Sequence, residues 1–237
     1  MTPDFSAGPL TRALWQDSQP IVQRIETLPF LAELADGTLD PTAFVHYIRQ
    51  DSRYLSGYAR AMALLSARAH SRDESRFWAE SSARAISVEE GMHHSLLSDA
   101  TLATACEQLA VQSGPAQPSP TTLGYVSFLI ATAATESYAQ GVAGVLPCFW
   151  VYAHMGKVLV QRASRLGASH PYATWVATYD SADFDRATRG AVAILEACLA
   201  RASQPERDVM QQIFRQACVY EWHFWGTAHD RQGWDLG

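Results

Sequence analysis

The feature that most restricts this chain is a helical periodicity that runs almost from end to end. Apolar residues recur at spacings of three and four, and short alternating runs bounded by paired turn residues are missing. A chain of that kind buries its apolar stripes by packing helix on helix. Chain breakers then set the segment ends. Leu10 to Ile25 reads as a helix interrupted at Pro20, because proline removes a donor and crowds the preceding turn. Phe30 to Ala35 is a short helix ending at Gly37. Asp40-Pro41, an N-cap acid followed by proline at the first helical position, predicts a helix from Pro41 to about Ala69. A second long amphipathic stretch covers Asp73 to Gln112, with a break near Ser87. Ser113 to Pro120 (SGPAQPSP) is a solvent loop. Thr121 or Thr122 caps a helix reaching Val145, and Pro147 restarts it to about Leu166. Gly167 to Pro171 is a turn and Tyr172 to Tyr179 a short helix. Asp183 to Ala202 and Pro205 to His229 close the chain, with Ser203 and Glu206 at capping-box spacing. The predicted fold is an all-α helical bundle, one domain over residues 1–237.

Composition narrows the function classes. The 237 residues are 48% hydrophobic, enough for a substantial core. Lys+Arg number 18 against Asp+Glu 24, and no basic run occurs, so no nucleic-acid partner is expected. Cys106, Cys148, Cys198 and Cys218 are widely spaced without a C-x-x-C pair, which reads as reduced thiols in a cytoplasmic protein. Met1 to Leu10 lacks the features of a signal peptide. The most apolar window, Tyr125 to Trp150, holds Glu136, Gln140 and Pro147, which suits a buried helix better than a membrane span.

Four constellations carry chemistry. Cys148 stands after Pro147 in the most apolar part of the chain. With proline at the first helical position, the thiol falls in a first turn, where free N–H groups and the dipole favour a thiolate. The alternative is a buried cysteine packed as a small hydrophobe. Tyr152 lies one turn on from Cys148, and Tyr125 one helix earlier. Asp51, Tyr54 and Tyr58 share a helix face at i, i+3 and i+7, among Phe44, Tyr47, Ile48 and Leu55. An aspartate there needs a partner, is exposed, or belongs to a site. Glu221 sits among Tyr220, Trp222, Phe224 and Trp225. Burial would raise its pKa toward neutrality and suit it to acid–base work; on the opposite face it would meet water. Glu90 and His93 have the E-x-x-H spacing of di-iron bundles, but no second copy exists, so a solvated face is the better reading and no metal is expected.

Together these segments resemble the TenA/thiaminase II family. The ordered series is Leu14-Trp15, Pro20-Ile21, Pro29-Phe30, Leu34-x-x-Gly37-Thr38-Leu39, Phe44-x-x-Tyr47 and Gln50-Asp51-x-x-Tyr54-Leu55. It continues through Pro120-x-x-x-x-Tyr125, Leu146-Pro147-Cys148-x-Trp150-x-Tyr152, His170-Pro171-x-x-x-Trp175-x-x-x-Tyr179 and Glu221-x-x-Phe224-Trp225. The resemblance implies a heme-oxygenase-like helical bundle, usually a homotetramer. It implies hydrolysis at an aminopyrimidine methylene carbon. The substrates implied are 4-amino-5-aminomethyl-2-methylpyrimidine, which releases ammonia, and thiamin, which releases the thiazole alcohol. It implies Cys148 as nucleophile, Glu221 as the carboxyl at a ring nitrogen, and Asp51 as the acid at the exocyclic amine. Tyr54, Tyr125, Tyr152 and Tyr179 match pocket positions, and Tyr58 a position that stacks on the ring. No metal or organic cofactor is implied. Arg53 and His154 depart from the family pattern at positions that would tune substrate preference. Two other readings stay open at this stage. One is a non-catalytic thiamin- or pyrimidine-binding or regulatory protein of the same fold. The other is a heme or two-iron oxygenase, against which stands the absence of histidine before His46.

Overall fold

The computed structural model describes residues 4–88, 91, 102–113, 117–163, 170–178 and 181–234. Among them run ten helices and no strand: α1 (Pro9–Glu26), α2 (Pro29–Ala35), α3 (Pro41–Arg68), α4 (Arg72–Val88), α5 (Ala103–Ser113), α6 (Pro120–Thr135), α7 (Tyr138–Ala163), α8 (Ala173–Thr178), α9 (Ala182–Arg201) and α10 (Gln204–His229). Glu89, Glu90, His93, His94 and Tyr179 lie outside the described residues, as do residues 114–116 of the predicted solvent loop.

Local chemistry explains the starts. Proline stands in the first two positions of α1, α2, α3, α6 and α10, where its missing N–H costs no hydrogen bond. Asp40 Oδ1 accepts from Thr42 N at 2.7 Å to cap α3, as its sequence predicts. The short helix α2 closes on Gly37, whose φ of 68° is left-handed. There Thr38 N donates to Glu33 O at 2.9 Å and Gly37 N to Leu34 O at 3.2 Å, a double bond pattern that satisfies the last carbonyls. The N-terminus of α1 is completed from far along the chain: Glu196 of α9 accepts from Thr11 N at 2.7 Å and from Leu10 N at 3.2 Å.

Two prolines do not break helices as their sequence predicts. α1 runs straight through Pro20. Pro20 and Gln16, whose carbonyl loses its partner, are both on the solvent side, where water replaces the bond. Pro147 lies inside α7, and the chain breaks earlier, at Glu136 and Ser137. The break is fixed by Ser137-x-x-Gln140, a capping box. Gln140 N donates to Ser137 Oγ at 3.3 Å and Ser137 N donates to Gln140 Oε1 at 3.4 Å. On the other side of the break, the Arg68 guanidinium donates to the carbonyls of Ala133 and Glu136 at the end of α6. Two predicted caps also differ. Ser119, not Thr121 or Thr122, caps α6 by accepting from Thr122 N at 3.1 Å. Ser203 makes no side-chain cap to α10; Glu206 instead accepts from Ser137 Oγ at 3.4 Å.

α7 is the central helix, packed against α3, α6, α9 and α10. By length and composition it could cross a membrane, yet 83% of its apolar window is buried inside the bundle, so its hydrophobicity is used in the core. α3 lies across it and also contacts α4, α5, α6 and α10. The close approach of α3 to α6 needs Gly57, where an added Cβ would stand 2.3 Å from Val126 Cγ1. That approach brings Tyr54 and Tyr125 together, with ring centroids 4.9 Å apart. Gly57→Ala is expected to cost about 1–3 kcal/mol by overpacking, a drop of roughly 3–10 °C in melting temperature. A thermal-unfolding cycle with Val126→Ala checks the cause: the double variant should lose less than the sum of the two singles.

Candidate active site

Cys148 stands in the middle of α7, far from either helix end, so the first-turn polarisation expected from Pro147 does not exist. What surrounds the thiol is different. A cavity of about 90 Å³ opens beside it, room for several water molecules at roughly 10–15 Å³ each. One wall is a single stripe of α3: Asp51, Tyr54, Leu55, Tyr58 and Met62. The spacings of three and four in that stripe are those of one helix face. Cys148, Phe149 and Tyr152 of α7 form the floor. Ser81, Arg84 and Ala85 of α4 and Phe184 and Ala187 of α9 complete the walls.

The thiol is protonated at rest. Burial pushes its pKa well above the ordinary value, and the charges of Glu221 and Asp51 push the same way, while the hydroxyls of Tyr54 and Tyr58 pull back without prevailing. Tyr58 is itself held by donating to Val145 O at 3.0 Å, beside the carbonyl of Ala143 that Pro147 leaves without its helical donor.

Glu221 is fully buried in α10. The possibility that it meets water is therefore excluded. Burial pushes its pKa up to about 8, with Asp51 adding to the rise; the Tyr125 hydroxyl and the Trp225 indole favour the charged form and lose. At neutral pH Glu221 carries a proton. The Tyr125 hydroxyl donates to Oε1 at 2.6 Å. Oε2 makes no well-formed hydrogen bond among the described residues, although the indole of Trp225 faces the carboxyl.

Asp51, Tyr54, Tyr58, Cys148 and Tyr152 thus meet around one cavity. Tyr125 and Glu221 do not line it; they stand one layer behind Tyr54. The Tyr54 ring packs against Tyr58 at 5.4 Å, Tyr125 at 4.9 Å and Phe224 at 5.3 Å. Its hydroxyl makes no well-formed hydrogen bond among the described residues, although it faces the Cys148 thiol and the Tyr125 hydroxyl. Tyr152 sets its hydroxyl 3.0 Å from that of Tyr47. The two departures from the family pattern stay out of the cavity. His154 Nε2 pairs with Glu26 Oε1 at 2.6 Å, and Arg53 donates to Arg49 O at 2.8 Å. The walls from α4 and α9 were missed by sequence reasoning. The only signal for them is the Ser81, Arg84, Ala85 spacing on one helix face. Among the described residues, no group of three or more His, Cys, Asp or Glu side chains is placed to hold a metal ion.

Comparison with known proteins agrees with this architecture. The thiamine biosynthesis multifunctional protein ThiED of Corynebacterium efficiens is 39% identical over 229 residues, 97% of this chain and 29% of that relative. The chain therefore spans less than a third of the longer protein. The aminopyrimidine aminohydrolase of Halalkalibacterium halodurans is 28% identical, across 94% of this chain and 96% of its own. Among solved structures, the TenA homologue from P. horikoshii superposes with a TM-score of 0.77 at 25% identity, covering 94% of this chain and 99% of that one. A domain with a heme oxygenase-like fold from Shewanella denitrificans has a TM-score of 0.67 at 17% identity, with 94% of this chain and 93% of its own covered, a likeness of fold alone. The family model described as TENA/THI-4/PQQC matches residues 15–231, so the chain belongs to that family.

Proposed function

We propose that this chain is a cysteine-dependent aminopyrimidine hydrolase of thiamin salvage. Its substrate is 4-amino-5-aminomethyl-2-methylpyrimidine, giving hydroxymethylpyrimidine and ammonia, or thiamin, giving hydroxymethylpyrimidine and the thiazole alcohol. The observation that carries the reading is the cavity in which Cys148 and Asp51 face phenol rings, with protonated Glu221 behind Tyr54. Membership of the family and the activity named for the Halalkalibacterium halodurans relative support it.

In this reading Tyr58 and Tyr54 offer ring faces to the flat pyrimidine. Tyr54, whose hydroxyl makes no well-formed hydrogen bond, swings aside, and Glu221 gives its proton to a ring nitrogen. That makes the ring a better electrophile. The substrate brings a positive leaving group, ammonium or thiazolium, whose field favours the thiolate over the thiol; Asp51 is the carboxylate in the cavity that takes the proton. Sulfur bonds to the ring, and the methylene–nitrogen bond breaks with its electron pair going to nitrogen. Water oxygen then bonds to the methylene carbon, its proton returns to carboxylate, and the carbon–sulfur bond breaks as the ring regains aromaticity. This is covalent catalysis by an activated thiol. Tyr152 and Tyr125 orient, the first toward the cavity and the second through Glu221; Tyr179 belongs to the same pocket by family resemblance. The same resemblance extends the proposal to a cytoplasmic homotetramer, and light scattering should then read about four times the 26.1 kDa of one chain.

Cys148→Ala should reduce ammonia release from aminomethylpyrimidine by at least ~10³-fold while hydroxymethylpyrimidine still binds by calorimetry; equal rates for both proteins would remove the nucleophile from the mechanism. Glu221 supplies a pH signature. Its folded pKa of about 8 lies above its ordinary 4.5. The general acid is therefore lost as pH rises through about 8, and kcat/KM should fall there. Glu221→Gln should lose roughly 10²–10⁴-fold in rate and abolish that limb. The stability sign follows from the same shift. The folded state holds the proton more tightly, so stability is full below 4.5 and declines as pH rises toward 8. The Tm difference between Glu221→Gln and wild type should therefore widen in favour of the variant from pH 5 to pH 8.

A further inference from the structure

Arg84 is the exposed member of the cavity lining, so it marks the mouth. Around it Leu55, Phe184 and Ala187 are half-buried and apolar, while the floor residues are buried. The mouth is thus an apolar collar with one cation on it. That cation is not spent elsewhere. Among the described residues Arg84 makes no ion pair or hydrogen bond, and it is not among those with further contacts. Glu80 stands one turn earlier on α4, the spacing of a helical ion pair, yet the two are not paired. Nearby cations of α7 and α9 are committed: Lys157 to Asp185 at 2.9 Å and Arg186 to Asp183 at 2.8 Å. One turn before Arg84, on the same face, Ser81 lines the cavity with its hydroxyl outside the internal hydrogen bonds of the described protein. A guanidinium and a hydroxyl at i and i+3, both donors, face a space whose depth holds an acid. The chain as a whole carries a net charge of −6, so this is a local reversal of sign.

From this we infer that the mouth is a subsite for a phosphate monoester on the leaving group, so that thiamin monophosphate is the better thiamin-type substrate. The inference rests on the function proposed above. The collar takes the thiazolium ring, and the guanidinium and the Ser81 hydroxyl donate to the phosphate oxygens, charge-assisted bonds stronger than neutral ones. The chemistry at the methylene carbon is unaltered. Its bond to the thiazolium nitrogen breaks with the pair going to nitrogen, water oxygen bonds to carbon, one proton is released, and the thiazole leaves with its phosphate intact. Arg84 and Ser81 touch the substrate far from the reacting carbon, so their contribution appears in binding and not in the bond-breaking step.

The test compares thiamin monophosphate with thiamin, both by kcat/KM and by calorimetric Kd, in wild type, Arg84→Gln, Arg84→Lys and Ser81→Ala. The readout is the ratio between the two ligands within each protein, which cancels any general effect of a substitution. Arg84→Gln should lower both ratios about tenfold, chiefly through KM and Kd. Ser81→Ala should lower them about threefold, and Arg84→Lys should keep most of the preference. Raising salt should erode the wild-type ratio, because the mouth is exposed. Ratios unchanged by Arg84→Gln would overturn the inference and leave the hydrolase reading intact. A wild-type protein that turns over neither of these ligands nor aminomethylpyrimidine would sink the hydrolase reading, and the Kd ratios would still decide the subsite.

Discussion

Everything in this structure turns on acidic groups buried among aromatic rings. Glu221 is fully buried in α10, and Asp51 and Cys148 are nearly so in α3 and α7. In a low-dielectric setting each charge makes the next more expensive, and the cheapest solution is to keep protons on. Burial is the largest cause of both the Cys148 and the Glu221 shift, the Glu221 charge adds to that of Cys148, and Asp51 contributes to both. Cys148 and Glu221 both hold protons at rest, and a ligand that changes the charge of the site must move them.

The bundle is built so that this expensive centre is affordable nowhere else. α7 brings its apolar length to the middle, and α3, α9 and α10 close on it. Aromatic rings do the closing. Tyr54, Tyr125 and Tyr220 form a row, with Tyr125 and Tyr220 stacked at 5.0 Å and 4°. Rings exclude water over a large area while their hydroxyls remain available to a carboxyl or a thiol. The same row separates the cavity from Glu221, so the proton donor is shielded until the wall moves. Tyr54 is the member of that row whose hydroxyl makes no well-formed hydrogen bond among the described residues.

Much of this was legible in the sequence, and the failures have physical reasons. The all-helical class followed from periodicity, and Asp40-Pro41 and Gly37 marked true helix ends because cap chemistry is local. The meeting of Cys148, Asp51, Tyr54, Tyr58 and Tyr152 around one cavity was expected from family resemblance, not from spacing. What failed was the reading of proline. Pro147 by itself predicts a helix start, which would put Cys148 in a first turn and favour a thiolate. The true start is Ser137-x-x-Gln140, a reciprocal pair of caps that was present in the sequence and outweighs a single lost hydrogen bond in a buried helix. The sign of the cysteine's shift reversed with it. The α4 and α9 walls were not legible because Ser81, Arg84 and Phe184 carry no pattern that separates a cavity wall from an ordinary amphipathic face. Only the packing of α9 against both α4 and α7 brings them to one space.

The reversed sign makes better chemistry of the proposed reaction than the expected one. A standing thiolate beside two acids would be reactive toward any electrophile and costly to keep. A stored thiol is inert until a cation arrives, because a positive charge in the cavity offsets the fields that keep the proton on sulfur. Linkage makes the effect reciprocal: the free energy by which the cation favours the thiolate is the free energy by which the thiolate tightens binding of the cation. Ammonium and thiazolium leaving groups both supply that charge. When the carbon–nitrogen bond breaks, the electron pair cancels it, the fields of Glu221 and Asp51 reassert themselves, and sulfur again favours its neutral form. Departure of sulfur from the ring as a protonated thiol is then downhill for the same electrostatic reason that its attack required the substrate. The nucleophile is switched by the charge of the group it expels.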